Sequence, residues 1–380
     1  MLPLRYLRQR TDVKEFIFIG TYTENIKFGT GAILEGKGEG IYILSFDSST
    51  GKLEPYRTVT GVVNPSYLCL RSDNRFLYAV NELKQYEGKV CGSVSAFEIN
   101  RKDVSLRLLN KQPTQGTDPC HVCLDNTEKR LFVSNFMSGS VCVFPVSHDG
   151  SLGEAAQFIQ HTGSSKDPVR QTGPHAHSLT FDRNNRFAFV PDLGIDKVMV
   201  YKLDAAAGNL THGIAPDHVV PPGYGPRHFA FHPNGRFAYL INELVSTISV
   251  FHYEEETGCL AELQNVRTVR KEFSGQNICA DIHIGPRGRF LYGSNRGEDS
   301  IVIYKIDEES GRLSYSGHKD SGGKTPRNFS IDTTGGYLLA ANQDSDTICV
   351  FRIDEETGNL SQVDSMAIPT PVCVKCISLG

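Results

Sequence analysis

The chain has 380 residues, a length that allows one large domain or two to three ordinary ones. Lys and Arg number 39 against 43 Asp and Glu, so the net charge is −4, whereas nucleic-acid-binding proteins are more often basic. Hydrophobic residues make up 39% and charged residues 22%, which is enough apolar material for a core and too little charge for disorder. The chain has no Trp, which excludes the repeat family marked by a Trp-Asp pair.

The N-terminus and the cysteines give expectations about location. No apolar run reaches about 18 residues, so no membrane span is expected. The first ten residues are too basic, and their apolar run too short, for a signal peptide, which predicts a cytoplasmic protein. The ten Cys are scattered over strand-like segments, a pattern typical of reduced thiols rather than of a disulfide framework.

One apolar phrase recurs seven times from the N-terminus onward. Residues 185–192 read Asn-Arg-Phe-Ala-Phe-Val-Pro-Asp, and related phrases occupy residues 14–21, 74–81, 129–135, 235–242, 288–295 and 335–342. A second phrase, usually Pro followed by alternating apolar residues, starts at Pro65, Pro119, Pro174, Pro226, Ala280, Pro326 and Pro371. These starts are 54, 55, 52, 54, 46 and 45 residues apart, so the chain is a sevenfold repeat.

Two further phrases complete each repeat. A Val/Ile-rich phrase occupies residues 140–144, 197–201, 247–251, 300–304 and 347–351. A Gly-x-Leu phrase starts at Gly51, Gly150, Gly208, Gly258, Gly311 and Gly358. Each repeat therefore holds four short segments rich in β-branched and aromatic residues, separated by turn residues, which predicts four antiparallel strands.

The repeat length and strand count together predict an all-β, seven-bladed β-propeller. The first repeat lacks its Pro phrase at the N-terminus, and the missing strand is found at residues 371–378. We therefore expect both termini to build the last blade, which would leave no free sheet edge there. The prediction is one propeller domain over residues 13–380, preceded by an N-terminal tail of residues 1–12.

Polar residues concentrate where the first and second strands of the blades should meet. In an antiparallel pair the start of one strand lies beside the end of the next, so these positions share one mouth of the central channel. They include His121, His175, His177, Arg227, His228, Asp281, His283, Arg327, Asn81, Glu82, Asp192, Glu243 and Arg296. Buried charge is costly unless it is paired or used, so the pattern favours a functional site. The alternative interpretation is that these groups only satisfy one another.

The residue types at this mouth suit an anionic ligand. Arg227, Arg296 and Arg327 offer planar groups that match phosphate and carboxylate oxygens. His175 is a candidate for moving a proton near neutral pH, and Glu243 is a second candidate. Two pairs of Cys have metal-ligand spacing, Cys120 with Cys123 and Cys373 with Cys376. Residues three apart on a strand point to opposite faces, so we expect no metal there and no cofactor.

Several phrases of this chain together resemble the seven-bladed β-propeller lactonase family. They are residues 173–175 (Gly-Pro-His), 225–233 (Gly-Pro-Arg-His-Phe-Ala-Phe-His-Pro), 242–244, 280–284 (Ala-Asp-Ile-His-Ile), 295–296 and 326–327. The family includes bacterial-type 6-phosphogluconolactonases and fungal carboxymuconate-lactonising enzymes. The resemblance implies metal-independent hydrolysis of a sugar lactone, most simply 6-phospho-D-glucono-1,5-lactone in the pentose phosphate pathway.

The resemblance also implies which residues form the site. The catalytic candidates are His175, Glu243 and Arg296, and the substrate-binding candidates are Arg227, Arg327, His177, Asp281 and His283. In the working hypothesis the arginines hold the sugar phosphate, while His175 or Glu243 takes a proton from the attacking water. Other propeller lactonases bind Ca²⁺ through carboxylates, and Asp281, Asp192 and Glu243 leave that option open.

Two other functions remain compatible with the sequence. A muconate-type cycloisomerase would need the same carboxylate-binding arginines and an acid. A non-catalytic interaction propeller would need an exposed apolar face, and all three mouth arginines tied up in salt bridges would favour it. We expect a small anionic substrate as partner, no nucleic acid, no membrane, and a monomer or weak homo-oligomer.

Overall fold

The structure is a computed structural model that describes residues 14–28, 31–204 and 206–379. The predicted tail, residues 1–12, lies outside the described residues. In chain order the strands are β1 (Lys14–Thr21), β2 (Ile26–Lys27), β3 (Ile33–Leu34), β4 (Gly40–Asp47), β5 (Lys52–Thr60), β6 (Leu68–Leu70), β7 (Phe76–Asn81), β8 (Ser93–Ile99), β9 (Leu106–Pro113), β10 (Pro119–Leu124), β11 (Arg130–Asn135), β12 (Ser140–Pro145), β13 (Gln157–Gln160), β14 (Thr180–Phe181), β15 (Phe187–Asp192), β16 (Lys197–Asp204), β17 (Asn209–His212), β18 (His218–Val219), β19 (Pro226–Phe231), β20 (Phe237–Asn242), β21 (Thr247–Glu254), β22 (Cys259–Arg267), β23 (Ile278–Ile284), β24 (Phe290–Arg296), β25 (Ser300–Ile306), β26 (Leu313–Asp320), β27 (Pro326–Ile331), β28 (Tyr337–Asn342), β29 (Thr347–Ile353), β30 (Leu360–Ala367) and β31 (Pro371–Leu379). A 3₁₀ helix spans Gln343–Ser345.

Seven antiparallel sheets form the blades of a propeller, as the repeats predict. Blade 1 is β6–β9, blade 2 is β10–β13, blade 3 is β14–β17 with β18 added, blade 4 is β19–β22, blade 5 is β23–β26, blade 6 is β27–β30, and blade 7 is β31 with β1, β4 and β5. Strands β2 and β3 form a separate hairpin. The predicted closure is confirmed, because β31 pairs with β1 from Leu379 opposite Lys14 to Pro371 opposite Thr21.

The second strand of each blade is the most buried element, which explains the uninterrupted apolar phrase. Strands β7, β15, β20 and β28 are buried along their whole length. Their two faces pack against the two neighbouring blades, so period-two alternation of apolar and polar residues is lost. Phe189 of blade 3 and Phe229 of blade 4, for example, stack with ring centroids 5.3 Å apart.

The Gly-x-Leu phrase marks a turn that touches the preceding blade. Gly150 and Gly311 have φ values of 83° and 69°, a region that favours glycine. Their carbonyl oxygens accept hydrogen bonds from Tyr78 and Tyr239 of the preceding blade, at 3.1 and 2.9 Å. A Cβ atom on Gly311 would lie 2.4 Å from the ring of Phe237. Glycine is therefore required here both by the backbone and by the close packing of the blades.

A β-bulge at the mouth end of the first strand positions the site. The register of this strand shifts at Cys120, Arg227, Arg327 and Val372, and between Cys279 and Ile282 in blade 5. A bulge leaves one residue out of the ladder and re-aims its side chain. We call this position the bulge ring and include the equivalent residues of blades 1 and 3, where β6 and β14 begin further along the chain and pair without a register shift. Its members are Ser66, Cys120, His177, Arg227, Ala280, Arg327 and Val372. The following positions form the central ring: Tyr67, His121, Ser178, His228, Asp281, Asn328 and Cys373.

Candidate active site

A polar cavity opens at the mouth of the channel, and the bulge ring supplies most of its wall. The cavity is narrow, with about 10 Å³ open to the centre of a water-sized sphere, which is room for roughly one water molecule. Six of the seven bulge-ring residues line it, all except Ala280, together with Glu82 and three residues of the central ring, Tyr67, His228 and Asn328. We call this cavity the mouth pocket. Three of the predicted site residues, Arg227, Arg327 and His177, therefore share one cavity.

Glu243, which directly follows β20, is the centre of an ion cluster. Its Oε1 accepts a hydrogen bond from Arg170 Nη2 at 2.5 Å, and its Oε2 accepts one from Arg227 Nη1 at 2.6 Å. Arg296 Nη2 lies 2.8 Å from the same Oε2. Burial alone would raise the pKa of Glu243, but the three guanidinium groups hold it well below its usual value. The cluster thus keeps this carboxylate ionised.

Backbone carbonyls of blade 5 hold two of these arginines in place. Arg227 Nε donates to Ala280 O at 2.8 Å, and Arg296 Nη2 donates to Cys279 O at 2.6 Å. Burial lowers the pKa of Arg296 to about 9, so the group stays charged at neutral pH. Its Nε is buried and has no hydrogen-bond partner within the described ranges. The cluster carries three positive charges against one negative charge and is a net cationic patch.

Two imidazoles lie against the ring of Phe136 and differ in what they can do. His175 stacks on this ring at 4.5 Å, and its Nδ1 lies 2.9 Å from Phe136 O. A carbonyl can only accept, so Nδ1 carries the proton and Nε2 keeps a lone pair. Burial lowers the pKa of His175, which leaves the ring neutral at pH 7. His175 thus has the protonation state of a general base.

His177 positions a neighbouring arginine and is not free to accept a proton. Its Nε2 accepts a hydrogen bond from Arg227 Nη1, and it lies 4.0 Å from Glu243 Oε2. Burial, followed by the charge of Arg227, lowers the pKa of His177 well below its usual value. With its Nε2 lone pair occupied, this imidazole serves to position Arg227. The geometry therefore separates the two histidines that the sequence left undistinguished.

Arg327 is the cation of the mouth pocket that has no ionic partner. Its guanidinium lies over the rings of Tyr22 and Phe28, 5.5 and 5.8 Å from their centroids. In the part of the chain that the structure describes, no carboxylate oxygen comes within 4.0 Å of it. Burial acts to lower the pKa of Arg327, but nearby acidic groups, Tyr22 and Glu82 foremost, raise it. The three mouth arginines are therefore not all tied up in salt bridges.

Asp281 and His283 belong to a polar network that joins blades 4, 5 and 6. Asp281 Oδ1 contacts His228 Nδ1 at 2.7 Å, and its Oδ2 contacts His283 Nε2 at 3.0 Å and Asn328 Nδ2 at 2.5 Å. Neither residue lines the mouth pocket, and the three catalytic candidates His175, Glu243 and Arg296 do not line it either. His283 is two residues further along β23 than Asp281, about 7 Å down the channel. The structure places both residues in a polar network with His228 and Asn328, and their role in substrate binding stays a prediction.

The carboxylates considered for Ca²⁺ do not converge. Asp192 Oδ2 contacts His161 Nδ1 at 2.6 Å, and its Oδ1 accepts the His175 backbone N–H at 2.6 Å. Asp281 and Glu243 have the separate partners given above. In the described ranges no group of three or more His, Cys, Asp or Glu side chains is arranged to hold a metal ion. The ten cysteines are all free thiols.

Two mouth residues were missed by sequence reasoning. Arg170 belongs to the long connection before blade 3, which has no counterpart in the other repeats, so no periodic signal marks it. Glu82 was noticed at a strand end but given no role. The residue after the Pro of the second phrase is the bulge-ring residue in five blades, at Ser66, Cys120, Arg227, Arg327 and Val372, so this position was the available signal.

Asp118, next to Glu82 at the rim, is a buried carboxyl group with few hydrogen bonds or opposite charges to offset the cost of its burial. It is 5% exposed, its Oδ2 has no hydrogen-bond partner in the described residues, and Lys84 Nζ is 4.0 Å away. Burial, and then the charge of Glu82, raise the pKa of Asp118 to about 7. The native state therefore holds a proton that the unfolded chain releases near pH 4.

Asp118→Asn is expected to raise the free energy of unfolding at pH 8 by roughly 1–3 kcal/mol. The stability that the raised pKa confers is complete below about pH 4 and is lost as the pH rises through 7. Asparagine cannot ionise, so the advantage of the variant should grow between pH 4.5 and pH 8. Urea unfolding at these two pH values measures it, and an equal difference at both would contradict the assignment.

The fold and the site define a class of protein: a closed β-propeller enzyme with a neutral imidazole and a cationic cluster at one channel mouth. A family model for the seven-bladed β-propeller lactonases matches residues 16–376. The chain belongs to this lactonase family, which confirms the predicted resemblance and the prediction of a lactonase. No helix in the described residues is long and apolar enough to span a membrane.

Individual relatives agree with this assignment. The 6-phosphogluconolactonase of Bacillus subtilis (strain 168) is 34% identical over 359 residues, covering 94% of this chain and 97% of the relative. The 6-phosphogluconolactonase of Formosa agariphila is 36% identical over 319 residues, covering 83% and 86%. Among solved structures, the periplasmic gluconolactonase of Pseudomonas aeruginosa has a TM-score of 0.88 at 32% identity, covering 97% of this chain and 100% of that one.

Proposed function

We propose that this lactonase hydrolyses 6-phospho-D-glucono-1,5-lactone to 6-phosphogluconate, as a cytoplasmic enzyme of the pentose phosphate pathway. The observation that carries the proposal is the combination, at one mouth, of the neutral His175 and the unpaired guanidinium of Arg327. The names of the two bacterial relatives support this substrate. The ten free thiols support the location.

His175 is the general base in this proposal. Its Nε2 lone pair is unoccupied in the described structure, and its lowered pKa keeps it deprotonated at neutral pH. Glu243, the second candidate, is a poor proton acceptor because three guanidinium groups hold its pKa far down. We therefore assign Glu243 to hold Arg227 and Arg296 in place.

The reaction follows from these roles. Arg327 binds the phosphate, and His175 Nε2 takes a proton from a water molecule as its oxygen attacks the lactone carbonyl. The cationic cluster around Arg227 and Arg296 stabilises the oxyanion that forms. The carbonyl–ring oxygen bond then breaks, and the ring oxygen takes up the proton that His175 holds, which returns the imidazole to its neutral form. Ring opening of a δ-lactone is fast without a catalyst, so positioning and one proton transfer are sufficient.

Arg296→Ala is expected to lower kcat/KM for 6-phosphogluconolactone by about 10²-fold, because it removes a donor to the oxyanion. It also removes one of the three guanidinium groups that pair with Glu243. Acid release is measured for wild type and variant and corrected for spontaneous opening. Arg287→Ala is the matched control, since Arg287 is an exposed arginine paired with Glu355 on the surface. A wild-type rate equal to that of buffer would refute the phosphogluconolactonase proposal.

The two alternative functions, a cyclase and a non-catalytic interaction propeller, are tested with the same purified protein. Loss of carboxymuconate absorbance in the ultraviolet would show the cyclase activity of the fungal enzymes in this family. Family membership and the unpaired Arg327 favour an enzyme over a non-catalytic interaction propeller. A monomer or weak homo-oligomer stays a prediction that sedimentation measures.

A further inference from the structure

Glu82 is a buried carboxylate of the mouth pocket that the proposed mechanism does not use. It follows β7 in blade 1 and is 6% exposed. Both of its side-chain oxygens lie 3.1 Å from one donor, the hydroxyl of Tyr22. Within the described ranges no Lys, Arg or His nitrogen comes within 4.0 Å of the carboxylate. A carboxylate can accept about four hydrogen bonds, so most of its capacity is unused.

The other pocket side chains near Glu82 leave this capacity unfilled, because the Ser66 hydroxyl could donate but makes no hydrogen bond within the described residues. The bulge-ring residues of blades 1, 2 and 7 are Ser66, Cys120 and Val372, none of which carries a charge. The cationic cluster belongs to blades 4 and 5 and to the connection before blade 3, and it is already bound to Glu243. The mouth pocket thus has arginines on part of its wall and, at Glu82, an acceptor with a single side-chain donor, the Tyr22 hydroxyl.

A ligand that fits this pocket needs anionic groups for the arginines and hydrogen-bond donors for Glu82. A buried anion that is short of hydrogen bonds is costly, and a ligand that supplies O–H donors removes that cost. A sugar lactone carries several hydroxyl groups next to its carbonyl. A polycarboxylate carries no such donors once ionised, and Glu82 would repel it.

We propose that Glu82 selects hydroxylated lactones by accepting hydrogen bonds from the ring hydroxyl groups of the bound sugar. The inference rests on the proposed function and narrows its substrate class. A site built to bond a substrate hydroxyl discriminates strongly against analogues that lack it, because the buried partner is then left unsatisfied. Glu82 is thereby a substrate-binding residue that distinguishes sugar lactones from simple lactones and from muconates.

Calorimetry of wild type, Glu82→Ala and Glu82→Gln tests this without catalysis. The two probes are D-glucitol 6-phosphate, a hydroxylated and unreactive phosphate ester, and inorganic phosphate. Hydrogen bonds to a charged group are worth about 10- to 100-fold in affinity. Glu82→Ala should weaken glucitol phosphate by that factor and leave inorganic phosphate within about threefold, with Glu82→Gln in between.

Tyr22→Phe is the matched control, because it removes the one hydroxyl that bonds Glu82 and keeps the carboxylate. It should retain the preference for glucitol phosphate. A second readout is kcat/KM on glucono-1,5-lactone and on δ-valerolactone, the same ring without hydroxyls. Glu82→Ala should raise KM for the first substrate and leave the second nearly unchanged.

Three results would overturn the inference. They are a wild type that does not prefer glucitol phosphate over inorganic phosphate, equal losses on both probes in Glu82→Ala, and a Tyr22→Phe variant that behaves like Glu82→Ala. Failure of the proposed function is a different result: no lactone is hydrolysed by wild type, while calorimetry still reports whether Glu82 binds hydroxyl groups.

Discussion

Replacing Glu243 by glutamine is expected to destabilise the protein by about 3–5 kcal/mol and to lower its activity at the same time. The variant keeps the shape of the side chain but removes the negative charge that three guanidinium groups share. Two of these groups, on Arg227 and Arg296, are almost fully buried and would be left as uncompensated charges. Unfolding in urea and kcat/KM on 6-phosphogluconolactone measure the two effects.

A surface ion pair provides the control for this variant. Glu256 pairs with Arg186 at 3.0 Å, but its side chain is 75% exposed. Exposed pairs are worth about 0–1 kcal/mol, so Glu256→Gln should change neither stability nor rate appreciably. A Glu243→Gln protein as stable as wild type would show that the cluster does not depend on this carboxylate.

His175→Ala is expected to lower kcat by about 10²–10⁴-fold with a small change in KM. The imidazole takes a proton during the reaction but carries no charge that holds the substrate. Because burial lowers the pKa of His175, the wild-type rate after correction for spontaneous opening should stay constant from neutral pH down to below 6.5 and fall only in more acidic solution. His175→Ala should remove this acid limb.

His177→Ala separates proton transfer from positioning. His177 holds Arg227 through its Nε2, so its loss should raise KM more than it lowers kcat and should leave the acid limb in place. If His177→Ala abolished kcat while His175→Ala kept a nearly normal rate, His177 would be the general base and His175 the positioning residue. Thermal unfolding of both variants checks that the pocket still forms.

The fold was predictable because its signals are periodic. Seven copies of one phrase allow each strand type to be compared with six others, and the Gly-x-Leu turn adds a conformational marker at positions such as Gly311. The closure by β31 followed from counting, because one strand was missing at one terminus and supplied at the other. Local propensity and tertiary packing agree along most of the chain.

The site was less predictable, because its chemistry depends on departures from the repeat. Arg170 belongs to a connection that occurs once, and its contact with Glu243 is set by tertiary structure alone. The contact of His283 with Asp281, and that of Asp281 with Asn328 of the next blade, likewise depend on tertiary structure. Side-chain chemistry could be read from the sequence, whereas pairing within the ion cluster could not.

The bulge ring has a consequence for how such a mouth can change. In the five blades whose first strand shifts register, one side chain lies outside the paired ladder, so that position is freed from the packing demands on its neighbours. In blade order the seven positions of the bulge ring carry different side chains: Ser, Cys, His, Arg, Ala, Arg and Val. A propeller of this kind can acquire a different substrate through single substitutions in the bulge ring, one blade at a time. The remaining residues of each sheet continue to stabilise the fold.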